Sequence, residues 1–214
     1  MLSLIKPSSE KCETILAIAR SDDFNHSHLG CLKSETPRGF NRDQCRHWLG
    51  AGRAVWDAAV ESFNQWRFMP SSMVEIKNAG PIERDRVVGV LVKVFVVWSF
   101  NPARIIEVHG SSTPSSTGTS TFGFTYGTVR GHVEAGEERF LLTWDHASDE
   151  VFYEIEAVSR PKHFLAWLVY PYSRILQARF RKESCASVFD SVQEIQKGIQ
   201  QAVQSAAPLN TTQE

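Results

Sequence analysis

The feature that most constrains the fold is a long succession of strand-forming segments that ends in one long helical pattern. Val87 to Phe100 is almost continuous in Val, Leu, Phe and Trp, which favours one long or bent buried strand. After Pro161 the apolar residues recur every three and four residues as far as Ile195, which predicts a long helix. Between these two regions the pattern predicts three more strands: Thr121 to Arg130, Glu137 to Trp144 and Val151 to Ser159.

The earlier part of the chain predicts shorter elements. Ser8 and Ser9 precede a helical period, so a short N-terminal helix with a serine cap is expected. Residues 21–39 are polar and turn-rich, which predicts an irregular segment. The alternation from Phe40 to Leu49 predicts a strand, and Met73 to Lys77 is a short extended candidate. Between them, the apolar residues of an amphipathic helix recur at three- and four-residue steps: Val55, Ala58, Ala59, Phe63 and Trp66.

This order of elements predicts an α+β fold. Asp145 to Asp149 is a tight connection, so the strands on either side are expected to pair antiparallel. A sheet of about six or seven antiparallel strands has to bury one face, and the C-terminal helix is the large apolar element left to cover it. We therefore expect a curved sheet wrapped around that helix, a helix-grip-like fold with a cavity between the two. Pro171 is expected to kink the helix, and Ser111 to Ser120 to form a hairpin tip.

Composition fits one soluble domain with appendages. The hydrophobic fraction of 42% and the charged fraction of 22% are ordinary for globular proteins. We expect residues 1–39 to form the N-terminal helix and an irregular wrap, residues 40–205 a single helix-grip-like domain, and residues 206–214 a disordered tail. The sequence leaves the oligomeric state open.

Charge and motif content argue against several classes of function. A net charge of −1 argues against a nucleic-acid partner. No apolar stretch approaches the roughly 20 residues that a transmembrane helix requires, and Met1 to Pro7 is too short for a secretory signal, so a cytoplasmic location is expected. GxSxG, HExxH, P-loop and GxGxxG motifs are absent, and no cofactor is predicted. Zinc-type ligands fit no standard finger spacing, so no metal site is predicted: His26, His28, Cys31, Cys45 and His47.

Several local motifs resemble uncharacterised protein family 0548, which is found in plants and bacteria. They include Leu49-Gly50-Ala51-Gly52, Phe122-Gly123-Phe124-Thr125-Tyr126-Gly127-Thr128, Gly136-Glu137-Glu138-Arg139-Phe140, Ser159-Arg160-Pro161 and Tyr170-Pro171-Tyr172. The resemblance covers roughly residues 1–193 and implies no established activity. The order of strands and helix also resembles the START and birch-pollen-allergen superfamily, whose members often hold lipids, sterols or polyketides.

The strongest candidate for chemistry is Glu138. Strand alternation places Glu138 on the face of Phe140 and Trp144, and it places Phe124 and Tyr126 together on another aromatic face. If that face is the inner one, desolvation raises the pKa of the carboxyl and suits it to acid–base work or to holding a ligand hydroxyl. The alternative is a solvated carboxylate, or one paired with an arginine such as Arg104 or Arg160.

Other candidates surround this strand. His132, in a turn after Gly131, is either a proton carrier at a pocket mouth or a loop anchor. Tyr126 and Tyr153 either orient a ligand or pack in the core with their hydroxyls satisfied. Arg160 lies near the predicted helix start, where it either binds an anion or belongs to a simple cap. We expect a ligand to contact these residues: Phe124, Tyr126, Trp144, Tyr153, Arg160 and Tyr172.

Three hypotheses for function follow. The leading one is a soluble protein that binds a hydrophobic small molecule, such as a lipid, isoprenoid or polyketide-like compound, between sheet and helix. The second is a cyclase, isomerase or hydrolase with Glu138 and His132 as its catalytic acid–base pair. The third is an interaction module that docks through the apolar segment Phe164 to Tyr170. A basic run is either a solvated helix face or a peripheral contact with acidic lipid headgroups: Arg174, Arg179, Arg181 and Lys182.

Overall fold

A computed structural model describes residues 1–110, 118–162 and 170–206 of the chain. Their helices are α1 (Ser9–Ala19), a 3-10 helix (Cys31–Lys33), α2 (Arg53–Asn64) and α3 (Tyr170–Ala206). Their strands are β1 (Leu2–Ser3), β2 (Asn41–Ala51), β3 (Val74–Lys77), β4 (Val87–Val94), β5 (Val97–Gly110), β6 (Thr119–Thr128), β7 (Glu134–Asp145) and β8 (Glu150–Pro161). Over these ranges, no helix has the length and apolar character needed to cross a membrane.

The strands form one antiparallel sheet that curves around helix α3. The strand order is β2-β8-β7-β6-β5-β4-β3, with β1 paired to β5. Helix α3 contacts both margins of this sheet, because Arg174 pairs with Asp43 on β2 and Glu183 accepts a hydrogen bond of 2.5 Å from Ser72, just before β3. Arg174 and Glu183 are nine positions apart, which is about 14 Å along a helix, whereas the outer strands of a flat seven-stranded sheet would lie about 29 Å apart. The expected α+β fold, a curved sheet around a long C-terminal helix, is therefore confirmed.

The two faces of the sheet are covered by different parts of the chain. Helices α2 and α3 pack on the inner face, where the largest apolar cluster lies. Helix α1 covers the outer face of β4 and β5 with a separate cluster that includes Leu16, Leu91 and Phe100. As the sequence predicts, α1 is capped by serine, since the Ser8 Oγ accepts the backbone N–H of Lys11 at 3.2 Å.

The prediction of one continuous strand from Val87 to Phe100 is wrong. This segment is a hairpin, in which β4 and β5 pair antiparallel from Val94↔Val97 onward. Phe95 turns the chain at a φ of 55°, a left-handed conformation that turn predictions reserve for Gly, Asn or Asp. The sequence holds none of these at the turn, so the apolar run conceals it. Pro102 lies inside β5, opposite Gly89, and does not interrupt this strand.

The prolines near the last helix also act differently from expectation. Pro161 is the last residue of β8 and does not open the helix. Pro171 is the second residue of α3 (Tyr170–Ala206), where the missing N–H costs no helical hydrogen bond, and does not lie a third of the way along the helix as expected. Residues 111–117 of the expected hairpin tip, residues 164–169 of the expected docking segment and residues 207–214 of the tail lie outside the described residues.

Candidate functional site

A cavity of about 500 Å³ lies between the inner face of the sheet and the first turns of helix α3. One of its walls is apolar and comes from β3, β4, the segment before β3, and α3. The residues of this wall are Met73, Val74, Val90, Val92, Val94, Leu176 and Phe180. The opposite wall is polar and comes from β2, β6, β7 and β8, so the cavity is amphipathic.

The cavity lies beside a tightly packed aromatic core, defined here as Phe63, Phe68, Phe124, Phe140 and Tyr153. All five of these side chains are fully buried, and their rings contact one another, with 4.6 Å between the centroids of Phe63 and Phe68. These large side chains fill the space under the middle of α3. Where short side chains such as Ala157 and the β4 valines replace them, the space stays open.

Glu138 and Tyr126 form the polar centre of the cavity wall. They are opposite each other on β7 and β6, and the Tyr126 hydroxyl donates a hydrogen bond to the Glu138 Oε2. Burial raises the pKa of the Glu138 carboxyl to about 7, although the hydrogen bond from Tyr126 opposes this rise. Burial also raises the pKa of Tyr126 well above its ordinary value, so Tyr126 stays a donor at neutral pH.

Glu134 lies near Glu138 on the same face of β7. Its carboxyl accepts hydrogen bonds from the Ser159 hydroxyl at 3.0 Å and the Gln177 side-chain amide at 2.5 Å, and burial raises its pKa. Gly136 lies between the two glutamates with a φ of 158°, and a Cβ there would stand 2.0 Å from the carbonyl oxygen of Val158. A glycine is therefore required for β7 and β8 to approach closely at this point.

Asp43 carries the charge on the β2 side of the cavity. The Arg174 guanidinium binds both of its carboxylate oxygens, and Arg181 lies 3.3 Å from one of them. The hydrogen bonds from Arg174 hold the pKa of Asp43 below its ordinary value. This ion-paired group connects β2 to the first turns of α3 and thus helps to hold the helix over the cavity.

His132 lines the cavity from the turn between β6 and β7. Its Nδ1 accepts the backbone N–H of Glu134 at 3.0 Å. Burial lowers the pKa of His132 to about 3. The imidazole is therefore neutral at physiological pH, with only its Nε2 in a position to carry the ring proton.

Four of the eight residues proposed from the sequence meet at the cavity: Glu138, His132, Tyr126 and Tyr172. The two arginines that the sequence offered as alternative partners of Glu138 bind elsewhere. Arg104 donates to the carbonyls of Ala19, Arg20 and Asp22, and Arg160 lies 4.8 Å from the centre of the Phe40 ring.

The structure places the other four away from the lining of this cavity. Phe124 and Tyr153 belong to the aromatic core, and the Tyr153 hydroxyl bonds to the Ser184 hydroxyl at 2.8 Å. Trp144 stacks on Trp56 and donates its indole N–H to Asp149 at 3.0 Å. Arg160 is on the outer side of the sheet.

Several polar residues of the site were not predicted from the sequence, among them Asp43, Glu134, Gln177 and Arg181. Part of their signal is present in the sequence. Glu134 keeps the two-residue alternation of Glu138, but the predicted strand began only at Glu137. Gln177 and Arg181 share a helix face at a four-residue spacing, which marks a common environment without saying what it faces.

The residues of zinc-binding type do not gather into one site. Cys45 faces α3, with its Sγ at 3.5 Å from the Sγ of Cys185, and the His47 ring meets the Phe189 ring. Cys31 instead lies on the outer side, where its thiol contacts Glu137 at 3.5 Å. In the described ranges, no group of three or more His, Cys, Asp or Glu side chains is arranged to hold a metal ion.

Comparison with known proteins finds similar chains in several organisms. A family model described as "Domain of unknown function (DUF1990)" matches residues 25–187. A UPF0548 protein of Arabidopsis thaliana is 29% identical over 201 residues, which cover 89% of this chain and 97% of that protein. A UPF0548 protein of Dictyostelium discoideum is 30% identical over 210 residues, which cover 90% of this chain and 96% of that protein.

Solved structures with a similar course of the chain have low sequence identity. Human STARD10 has a TM-score of 0.43 at 12% identity, covering 96% of this chain and 91% of that one. A hypothetical protein of Helicobacter pylori has a TM-score of 0.47 at 8% identity, covering 71% of this chain and 86% of that one. Ara h 8.0201 has a TM-score of 0.41 at 13% identity, covering 71% of this chain and 99% of that one.

Proposed function

We propose that this chain, which belongs to the DUF1990 family, is a binding protein for a hydrophobic small molecule held between its sheet and helix α3. The resemblance of the sequence to uncharacterised protein family 0548 is confirmed by the relatives of that name. The family description names no function, so the proposal depends on the chemistry of the cavity.

The observation that carries the proposal is the amphipathic character of the cavity. Its volume of about 500 Å³ falls within the roughly 300–1,000 Å³ typical of small-molecule sites. The valines of β4 offer an apolar wall, and burial of apolar ligand surface there contributes about 25 cal/mol per Å². The Tyr126–Glu138 pair on the opposite wall offers hydrogen-bonding groups in fixed positions, which orient a ligand.

Tyr172 supports the proposal from the helix side. It lines the cavity in the first turn of α3, and its ring stacks on Phe95 with 4.1 Å between the ring centroids. Phe95 occupies the exposed turn between β4 and β5, with 64% of its surface exposed. A contact between a hairpin turn and a helix end opens at a lower cost in free energy than a contact inside the sheet. We therefore propose that the ligand enters here.

Catalysis is the second candidate function, because Glu138 and His132 line the same cavity. A carboxyl with a pKa of about 7 suits general acid–base chemistry at neutral pH. His132 is the weaker half of the pair, since its pKa of about 3 makes it a poor base. Binding needs only the cavity and Glu138, and we therefore place it first.

Native mass spectrometry and solvent extraction of the purified full-length chain test the proposal. We expect a co-purified apolar compound, or saturable binding of an environment-sensitive apolar dye that Val92→Phe abolishes by filling the cavity. Ile18→Phe, at an exposed position of α1, is the control for added aromatic surface. Absence of both co-purified compound and saturable dye binding would contradict the proposal.

A further inference from the structure

We infer that the polar end of the bound molecule is a hydrogen-bond donor without negative charge, an alcohol or a protonated amine, that contacts Glu138. The inference rests on the proposed binding function and narrows its ligand class. It comes from the inventory of donors, acceptors and charges on the polar wall of the cavity.

The two glutamates of this wall differ in the hydrogen bonds that their carboxyl oxygens accept. Both oxygens of Glu134 accept hydrogen bonds, from Ser159 and Gln177. Glu138 accepts one hydrogen bond, from Tyr126 at Oε2, and among the residues with described positions no protein donor reaches its Oε1. A buried carboxyl oxygen that borders a cavity without a protein donor is costly until a ligand or water donates to it. At the centre of the wall the available polar atom is thus an acceptor, and the Nε2–H of His132 is a separate donor of the lining.

The charges around the polar wall disfavour an anionic ligand. Arg181 lines the cavity from α3 and Arg174 lies on the same helix, and both bind Asp43. A ligand carboxylate would lie next to the carboxyls of Glu134 and Glu138, and it would have to compete with Asp43 for its partners. Like charges in a site of low dielectric cost several times more than in water. An anionic head group is therefore disfavoured here, whereas a donor is favoured.

Two more cations line the cavity away from this wall. Arg179 pairs with Glu183 at 2.6 Å and is exposed, and Lys93 lies 5.6 Å from the centre of the Trp98 ring. Such exposed charges are well solvated and hold an anion weakly. In the alternative binding mode, the carboxylate of the ligand stays near these two cations at the cavity margin, and only its apolar chain enters.

Titration calorimetry with four ligands of one chain length tests the inference on the full-length protein. The probes are 1-decanol, decylamine, decanoate and decyl methyl ether, below their aggregation concentrations. At pH 8 we expect the alcohol and the amine to bind at least tenfold more tightly than decanoate and the ether. Equal affinities, or decanoate as the tightest ligand, would overturn the inference and leave the binding function standing. If none of the four binds, the inference and the proposed function fail together.

A pH series separates the amine from the alcohol. Protonation of Glu138 removes the negative charge that attracts an ammonium group, so decylamine should lose about tenfold in affinity between pH 8 and pH 5.5, while 1-decanol changes less than threefold. The other groups that face Glu138 are Tyr126 on β6, Glu134 on β7, Asp43 on β2 and Arg181 on α3. A parallel loss for both ligands would assign the pH effect to these groups and overturn the role of Glu138.

Substitutions locate the head group. Glu138→Gln keeps an acceptor but removes the charge, so we expect about a tenfold loss for decylamine and little change for 1-decanol. Glu154→Gln is the matched control, because Glu154 pairs with Arg46 at 3.1 Å away from the cavity. Equal losses of decylamine affinity in the two variants, or no loss in Glu138→Gln, would contradict the placement of the head group at Glu138.

Discussion

Helix α3 packs over two regions of the same sheet that differ in what fills the space beneath it. In the aromatic core, five large rings contact one another and are fully buried. In the cavity, valines and Ala157 replace the rings, and about 500 Å³ stays open. Tyr126 lies at the boundary, since its ring contacts Phe140 while its hydroxyl bonds to Glu138.

Aromatic rings that contact one another mark the closed part of this interface. The chain has 23 aromatic residues, and three of those expected to contact a ligand, Phe124, Trp144 and Tyr153, lie away from the cavity lining. Instead, large planar side chains pack against each other, because contact among rings is worth more than contact with an open space. The cavity begins where short side chains from neighbouring strands coincide.

The largest expected effect comes from removing a ring of the aromatic core. Phe140→Ala leaves a hole that neighbouring rings cannot fill, so we expect a loss of about 3–5 kcal/mol in the free energy of unfolding, measured by urea denaturation. Val90→Ala in the cavity wall is the comparison, and it should cost clearly less, because Val90 already borders open space. Equal losses would show that the two regions are equally packed.

The second effect concerns pH. The pKa of Glu138 rises from 4.5 to about 7 on folding, so its contribution to stability is complete below pH 4.5 and is lost as the pH rises through 7. At about 1.4 kcal/mol per pKa unit, the wild type should lose up to about 3 kcal/mol between pH 4.5 and 8 through this group. Glu138→Gln should not show this loss. At pH 8 it should therefore unfold at a higher urea concentration than the wild type.

Denaturation of both proteins at pH 5 and pH 8 measures this difference. Glu134, whose pKa is also raised, is present in both proteins, and its charge helps to raise the pKa of Glu138, so the difference between the proteins includes the repulsion between the two carboxyls. If the wild type and Glu138→Gln show the same pH dependence, the carboxyl of Glu138 is solvated, and the cavity is wetter than its apolar wall implies.

The third effect compares two tyrosine hydroxyls. Tyr153 donates to Ser184, whose own hydroxyl donates to the Phe68 carbonyl at 2.6 Å, so Tyr153→Phe removes one buried hydrogen bond. We expect a loss of about 1 kcal/mol in the free energy of unfolding. Tyr126→Phe should instead raise the pKa of Glu138 further, measured by carboxyl chemical shifts across a pH titration. A loss of stability for Tyr126→Phe together with a raised pKa of Glu138 in Tyr153→Phe would contradict these assignments.

The smallest effect on stability is expected for filling the cavity. Val92→Phe adds a ring where space exists, and we expect the free energy of unfolding to change by less than about 1 kcal/mol. The same substitution should abolish binding of the apolar dye. A loss of stability as large as that of Phe140→Ala would mean that the cavity wall is already closely packed.

Much of the fold could be predicted from the sequence. The two-residue alternation of β6, β7 and β8 and the helical period of α3 are local properties, and they predict a sheet followed by a covering helix. The same alternation directs Glu138 to the inner face. The turn at Phe95 could not be predicted, because its left-handed conformation is imposed by the pairing of β4 with β5 and not by a turn-forming residue.

The period of each element, which is a property of the sequence, establishes which side chains share a face. The tertiary structure alone decided which inward residues meet across the sheet, and hence where the space is filled and where it stays open. Glu138 becomes a candidate ligand contact because Ala157 lies beside it on β8 and Tyr126 opposite it on β6. The bonding of Arg174 to Asp43, across 131 positions of the chain, is likewise a product of strand order. A cavity depends on side-chain volumes summed across neighbouring strands, and no local period contains that sum.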